Sequence, residues 1–258
     1  MSKLASLFHQ RIGIWENEKI TFEKLNKVLE KTATSIPFEN RAIMGGNQRE
    51  VTKENLTNKI LEKNQGGLCY ELNPLLYYYL LEHGFNAALV TGVVFNQGRE
   101  EYTTLGRTHV AILLDYEGER YLIDTGFGGN LPLKPVPLSG ETVSSSNGEF
   151  RIKKADIEQG DYVLEMKLKH KDSDWRTGYA FDSRNPLKDS ANLNEIQTII
   201  TEHPESSFNK HPLLTRLTES GNITLTDSTF TQWMDGNVTK ENIDQARFKE
   251  LAKEHFGM

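Results

Sequence analysis

Cys69 is the only cysteine in the chain, and it follows a glycine pair in the run Asn64-Gln65-Gly66-Gly67-Leu68-Cys69-Tyr70-Glu71-Leu72-Asn73. The residues after it read as a helix. A thiol at a helix N-terminus beside a histidine is shifted toward thiolate, the form that attacks acyl carbon. Gly66 and Gly67 let the backbone approach a bound acyl group, since neither carries a side chain. The N–H of Cys69 can help hold a developing oxyanion. The alternative is a small core residue behind a glycine turn, a common place for a free cysteine. Taken alone, the stretch fits both.

A nucleophilic cysteine needs a base. Of the 7 histidines, His9, His83, His203, His211 and His255 lie in polar or terminal stretches and read as solvated, while His170 ends a strand. His109 differs from them, because Thr108-His109-Val110-Ala111-Ile112-Leu113-Leu114 begins an apolar strand. A polar ring there is partly buried and must find partners. Asp124 ends the apolar run Tyr121-Leu122-Ile123 and enters the turn Thr125-Gly126-Phe127-Gly128-Gly129. If Glu117-Gly118 closes a hairpin, Asp124 returns beside His109 and can orient the imidazole. Each residue also has an ordinary reading, as a satisfied strand-end histidine and as a turn aspartate. What joins them is the topology, which supplies proximity. The glycine loop can present N–H groups to phosphate. It lacks the Gly-Lys-Ser/Thr of a P-loop and the helix of a dinucleotide fingerprint.

Three helices are expected ahead of the strands. Thr21 can cap one of about a dozen residues with Phe22, Leu25, Val28 and Leu29 on one face. It ends near Ser35-Ile36-Pro37-Phe38-Glu39-Asn40, because a residue before proline disfavours helix. A second is capped near Thr52, carries Leu56, Ile60 and Leu61, and breaks at Asn64. The third runs from Cys69 to Glu82, with Gly84 as its stop. Pro74 suits only a first turn, so a late start or a bend is expected there. No strong period appears over residues 1–20. The period then changes. Residues 87–95, 109–114, 120–123, 150–153, 162–170 and 175–181 read as strands, and Leu164-Glu165-Met166-Lys167-Leu168-Lys169 alternates as a half-buried antiparallel strand should. Residues 126–149 read as a long loop. The last third is mixed: a helix over 192–201, a strand at 223–226, and a final helix capped by Thr239 with Ile243, Phe248, Leu251 and Phe256.

The chain therefore reads as α+β, helical to residue 85 and then an antiparallel sheet or barrel. With 258 residues it is long enough for a sizeable core. A net charge of −6 without a dense basic run argues against nucleic acid as a partner. No stretch approaches the roughly 18 apolar residues of a membrane span. There is no apolar leader at the N-terminus, and the lone cysteine fits a reducing cytoplasm.

These pieces together resemble the arylamine N-acetyltransferases, including the bacterial N-hydroxyarylamine O-acetyltransferases. The matching residues are Arg11-Ile12-Gly13, Ile36-Pro37-Phe38-Glu39-Asn40, Gly66-Gly67-Leu68-Cys69-Tyr70-Glu71-Leu72-Asn73, Thr108-His109 and Asp124-Thr125-Gly126-Phe127-Gly128. They follow the family's order and spacing, most firmly over residues 8–130. The resemblance implies an N-terminal helical bundle over 1–85, a central antiparallel β-barrel over 86–185 and a C-terminal α/β lid over 186–258, around a cysteine-protease-like catalytic core. It implies a Cys69-His109-Asp124 triad, acetyl-coenzyme A as acyl donor, and an arylamine, hydrazine or N-hydroxyarylamine as acceptor. By the same match, Phe38 and Phe127 line the acceptor pocket, and Gly106, Gly128, Gly129 and Thr218 lie along the coenzyme. No metal is required. The family usually has arginine before the glycine pair, where this chain has Gln65, and leucine where it has Arg41. Weaker support of the loop is expected, with Arg41 or Lys63 as substitute cations. Two other readings share the residue types: a thiol hydrolase resembling papain-like or transglutaminase-like enzymes, and a coenzyme A binding protein without turnover.

Overall fold

The computed structural model describes residues 2–169 and 171–258. The first helix, α1 (Lys3–Ile12), is capped by Ser2, whose Oγ accepts the Ala5 N–H at 3.1 Å. The sequence reading passes over this helix. Its apolar stripe of Leu4, Ala5, Phe8 and Ile12 is completed by His9, which is buried and not solvated as expected. His9 Nε2 faces the Tyr79 hydroxyl at 2.7 Å, and Nδ1 faces the Trp15 and Glu16 carbonyls at 3.0 Å, so burial leaves neither nitrogen unpaired.

A 3₁₀ turn at Phe22–Lys24 leads into α2 (Leu25–Ser35), which buries Leu25, Val28 and Leu29; Thr21 precedes the turn without a side-chain cap. Next come β1 (Phe38–Glu39), α3 (Arg41–Met44) and α4 (Lys53–Leu56). Thr52 Oγ1 caps α4 by accepting the Asn55 N–H at 3.2 Å, and α4 runs on into a π-helical turn at Thr57–Glu62. α5 (Cys69–Glu82) starts at the cysteine, with Pro74 inside it and neither late nor moved to a first turn. Proline removes the N–H that would bond the Tyr70 carbonyl, a cost of about 3 kcal/mol. Burial of Tyr70, Leu72, Leu75, Leu76, Tyr79 and Leu80 outweighs it, at about 1.5–3 kcal/mol for each fully buried apolar side chain.

The strands β2 (Asn86–Asn96), β3 (Glu101–Tyr102), β4 (His109–Tyr116), β5 (Glu119–Ile123), β6 (Val136–Pro137), β7 (Val143–Ser144), β8 (Gly148–Ile157), β9 (Gly160–Leu168) and β10 (Arg176–Phe181) form one antiparallel sheet. Its order is β6-β5-β4-β2-β10-β9-β8-β7, with β3 on β2, and β6 returns against β8, so the sheet nearly closes into a barrel. The strand expected over 162–170 ends at Leu168, and its final residue, His170, lies outside the described residues. In β4, Val110, Ile112 and Leu114 join the helical core while Ala111 and Leu113 join the barrel core. Both faces are covered, so β4 reads as a continuous apolar run rather than an alternating one.

In the last third, α6 (Ser190–Glu202) sends Leu193, Ile196 and Ile200 into the helical core. β11 (Leu213–Thr218), β12 (Gly221–Thr226), β13 (Thr229–Met234) and β14 (Asn237–Asn242) form a second antiparallel sheet, in the order β1-β11-β12-β13-β14. α7 (Gln245–Phe256) packs Leu251 and Phe256 on it. The cap of α7 is Asp244, which accepts the Arg247 N–H at 2.8 Å; Thr239, expected in that role, is a strand residue paired with Gln232. Packing thus crosses the chain order twice. α6 belongs to the helical core, and β1, from the N-terminal region, is the first strand of the C-terminal sheet.

Candidate functional site

Cys69 is the first residue of α5 and 6% exposed. The turn before it is held by close packing. A Cβ on Gly66 would lie 2.0 Å from the Pro37 carbonyl oxygen, and one on Gly67 would lie 2.8 Å from Glu71 Oε2. Only glycine fits either place. Glu71, third residue of the helix, accepts the Leu68 N–H at 3.1 Å and so caps the helix start.

The Glu117-Gly118 hairpin is present, with Ile112 opposite Ile123. It brings Asp124 back to His109, whose Nε2–H donates to Asp124 Oδ2 at 2.7 Å. Both side chains are buried, at 3% and 0% exposed. The other imidazole nitrogen, Nδ1, is free of Asp124, and Cys69 lies close enough to the ring to raise its basicity. Burial pulls the His109 imidazolium down, but the Asp124 charge and hydrogen bond, followed by Cys69, push it up to about 10. Burial likewise pushes Asp124 up, and the His109 charge with the bonds to its oxygens holds it below the ordinary carboxylate range. The Cys69 Sγ also lies 3.6 Å from the Thr108 carbonyl oxygen.

Two further residues complete the cluster, and neither is singled out from the sequence. Asn73 follows Cys69 by one helical turn and is fully buried. Its Nδ2 donates to Asp124 Oδ1 at 2.8 Å and to the Val110 carbonyl at 2.6 Å, while its Oδ1 accepts from the Thr125 N–H at 2.8 Å and Oγ1 at 3.0 Å. Tyr179 donates its hydroxyl to Asp124 Oδ2 at 2.9 Å and lays its ring 4.3 Å from the His109 ring. Burial, then the Asp124 charge, pushes the Tyr179 phenol well above its ordinary value, so it stays a donor. The Gly126 N–H supplies the remaining bond to Asp124 Oδ1, at 2.7 Å. The signal for Asn73 was its spacing, a polar residue four after the cysteine on a helix otherwise apolar at Leu72, Leu75 and Leu76. Tyr179 carried none, because an apolar strand accommodates a tyrosine for packing alone.

Phe127 packs 5.1 Å from both His109 and Tyr179, so it walls the site. Phe38 lies across from it in β1, edge-on to Phe208 at 5.7 Å, with its ring 3.9 Å from where a Gly128 Cβ would be. Gly126 sits against the cysteine, since a Cβ on it would come 2.6 Å from Cys69 Cα. From there the loop leads outward through Gly128 and Gly129 to Asn147, whose Nδ2 donates to the Gly129 and Leu131 carbonyls at 3.0 and 2.9 Å. Asn147 and Thr218 line a cavity of about 350 Å³, together with Lys27, Lys31 and Leu217. Thr218 Oγ1 is buried there without a hydrogen-bond partner among the described residues. Gly106, with φ +67°, lies in the turn ahead of His109, where its carbonyl accepts the Thr108 N–H at 2.9 Å.

The cation paired with Glu71 behind the cysteine loop is Lys59, not Arg41 or Lys63, and Arg11 Nη2 also reaches the loop, donating to the Asn64 carbonyl at 3.3 Å. Lys59 Nζ is 2.6 Å from Glu71 Oε1. Among the described residues, no group of three or more His, Cys, Asp or Glu side chains could hold a metal ion, and no helix is long and apolar enough to cross a membrane.

The N-acetyltransferase family model matches residues 21–258. An uncharacterized acetyltransferase of Bacillus subtilis, YvcN, is 42% identical over 96% of this chain and 95% of its own length. Arylamine N-acetyltransferase C from Bacillus anthracis superposes with a TM-score of 0.95 at 39% identity, covering 100% of this chain and 99% of the other. The arylamine N-acetyltransferase NAT3 of Bacillus cereus superposes with a TM-score of 0.95 at 41% identity and the same coverage, 100% and 99%. That protein is described as having a unique Cys-His-Glu catalytic triad; in the present chain the carboxylate on the histidine is an aspartate.

Proposed function

Because the chain belongs to the arylamine N-acetyltransferase family, we propose that it carries an acetyl group from acetyl-coenzyme A, by way of Cys69, to an arylamine, hydrazine or N-hydroxyarylamine. The reading rests on one observation above the others: a buried imidazole fixed by Asp124 through one nitrogen, with Cys69 near enough to raise its basicity.

In the first half-reaction the Cys69 thiolate attacks the acetyl carbonyl carbon. The tetrahedral oxyanion collapses, the C–S bond to coenzyme A breaks, and the departing thiolate takes the proton held by His109. The Cys69 N–H, at the head of α5 and without an intrahelical partner, is placed to donate to the oxyanion. In the second half-reaction the acceptor nitrogen or hydroxyl attacks the acetyl-cysteine thioester, His109 receives its proton, and Cys69 leaves as thiolate. Asp124, Asn73 and Tyr179 do not touch substrate. They fix the tautomer and angle of the imidazole.

Phe38 and Phe127 are assigned to the acceptor pocket, where aromatic faces suit a flat arylamine. Gly106, Gly128, Gly129 and Thr218 are assigned to the coenzyme. Support for this path is the loop running from Gly126 at the cysteine to the cavity holding the unpartnered Thr218 hydroxyl. The division into bundle (1–85), barrel (86–185) and lid (186–258) belongs to the same reading. A free catalytic thiol fits a reducing, cytoplasmic setting.

The test is intact-protein mass after brief exposure to acetyl-coenzyme A, then addition of anisidine. Gain of one acetyl group on Cys69 and its loss to the amine is the expected result. An adduct that decays equally fast without amine makes the protein a thiol hydrolase, and bound coenzyme without an adduct makes it a binding protein.

A further inference from the structure

A charged cluster of Lys59, Glu71 and Glu39 lies against the Gly66-Gly67 turn. Lys59 stands on the π-helical turn Thr57–Glu62, a backbone irregularity often found at functional sites. It holds the cysteine loop at two points. Its carbonyl accepts the Gln65 N–H at 3.1 Å, and its Nζ lies 2.6 Å from Glu71 Oε1, while Glu71 Oε2 accepts the Leu68 N–H at 3.1 Å. The Lys59 and Glu71 side chains are 16% and 9% exposed, so the pair is poorly screened.

Glu39 is the second carboxylate. It is 2% exposed, its N–H donates to the Gly67 carbonyl at 3.0 Å, and its Oε2 accepts the Arg41 N–H at 2.6 Å. Burial pushes its carboxyl up, and Lys59 is the largest charge opposing that. Gln65 lines the same cavity as Glu39, Lys59 and Glu71 and brings no charge. With Lys59 removed, two buried carboxylates would face each other next to the first turn of the helix that begins at Cys69.

We propose that Lys59 is the positioning residue of the cysteine loop: its ammonium keeps Glu71 bonded to the Leu68 N–H and balances the Glu39–Glu71 charge that would otherwise oppose a thiolate at Cys69. The proposal rests on Cys69 being the nucleophile. The other charged groups around the Cys69 loop are His109 and Asp124 from the barrel, with the Tyr179 hydroxyl on Asp124, and Arg11 from α1, which donates to the Asn64 carbonyl at 3.3 Å. Around Lys59 the remaining ones are Arg41, Arg49, Glu50 and Lys63, which line the cavity. All of them are untouched in the variants below.

The experiment follows alkylation of Cys69 by iodoacetamide against pH, read by intact mass, in the wild-type chain and in K59M, K59Q and K59R. Thermal unfolding and acetyl-coenzyme A loading are measured alongside. K59Q keeps a hydrogen bond to Glu71 without the charge, so it separates the two roles where K59M folds poorly. In K59M and K59Q the half-maximal pH of alkylation is expected to rise by about one unit, with loading at pH 7 slowed by about two- to tenfold, because the thiolate fraction at a fixed pH falls by at most tenfold per unit. K59R restores both. A lower melting temperature with an unmoved alkylation profile in K59Q makes Lys59 merely structural and overturns the proposal. A wild-type chain that alkylates no faster at pH 7 than a simple thiol overturns the nucleophile reading, and this proposal with it. An activated wild type with an unmoved K59Q overturns this proposal alone.

Discussion

Asn73 Nδ2 lies 2.8 Å from Asp124 Oδ1, which ties the helix that begins at Cys69 directly to the carboxylate bonded to His109. Cys69 and Asn73 are one turn apart on α5, so the bond fixes the distance between two elements that the chain builds separately. Asn73→Ala removes it and leaves the Val110 carbonyl and the Thr125 N–H unpaired. The expected cost is about 1–3 kcal/mol for each buried group left without a partner. Denaturant unfolding measures it, and a variant as stable as wild type would show that water replaces the amide.

Asp124→Asn takes away the charge that raises His109, while burial, which lowers it, stays. The imidazole then loses its proton near neutrality and is no longer held in one tautomer. Acetyl transfer is expected to fall by about 10²–10⁴-fold, with the fold retained, because the amide keeps the shape of the carboxylate. Steady-state rates with an arylamine decide it, and a loss below tenfold would remove Asp124 from the machinery.

The His109–Asp124 pair gives stability a pH dependence. His109 has its folded value raised to about 10. Its contribution is fully present below its unfolded value, about 6.5, and is lost as pH climbs toward 10. Asp124 has its folded value lowered, so its contribution is present above about 3.9 and is lost as pH falls below that. The denaturation midpoint is therefore expected to drop between pH 7 and pH 10. In His109→Asn that high-pH slope should flatten, and an unchanged slope in the variant would assign the effect elsewhere.

Tyr179→Phe deletes one donor to Asp124 Oδ2 and keeps the ring beside His109. A hydrogen bond to a charged group contributes about 1.5–3 kcal/mol, part of which the His109 bond retains. Transfer is expected to slow by roughly 3- to 30-fold, with the acceptor KM unchanged. A raised KM with normal kcat would place Tyr179 in the acceptor pocket.

Gly126→Ala places a methyl 2.6 Å from Cys69 Cα and 2.8 Å from Asn73 Nδ2. Overpacking of this kind costs about 1–3 kcal/mol, and here it acts on the cysteine and its tether together. Loss of acetylation larger than the loss of stability is the expected outcome. Activity falling only in step with stability would show that the helix start yields without consequence.

Legibility in the sequence followed how local each feature was. The Cys69 helix, the Glu117-Gly118 hairpin and the alternation from Leu164 to Lys169 all rest on neighbours a few residues apart, and each is present. α1 was missed because its stripe is finished by His9, a polar residue paid off by Tyr79, some 70 positions away. A threonine before an amphipathic run satisfies the local rule for a cap, yet the backbone of Thr239 is committed to β13. In the site, Cys69, His109 and Asp124 stood out through residue type. Tyr179 and Lys59 did not, because what marks them is a partner on another element.

The pairing of Phe38 with Thr215 in β1 and β11 has a consequence for biosynthesis. Asn40 reinforces it, with Nδ2 bonded to the Phe208 and His211 carbonyls and Oδ1 to the Leu213 N–H. The strand bordering the glycine turn thus finds its partner only after some 170 further residues have left the ribosome. Closure over that separation is a slow, late step of folding. A product stopped before Leu213 would keep the contacts of the glycine turn to Pro37 and Glu39 but leave β1 without its partner strand.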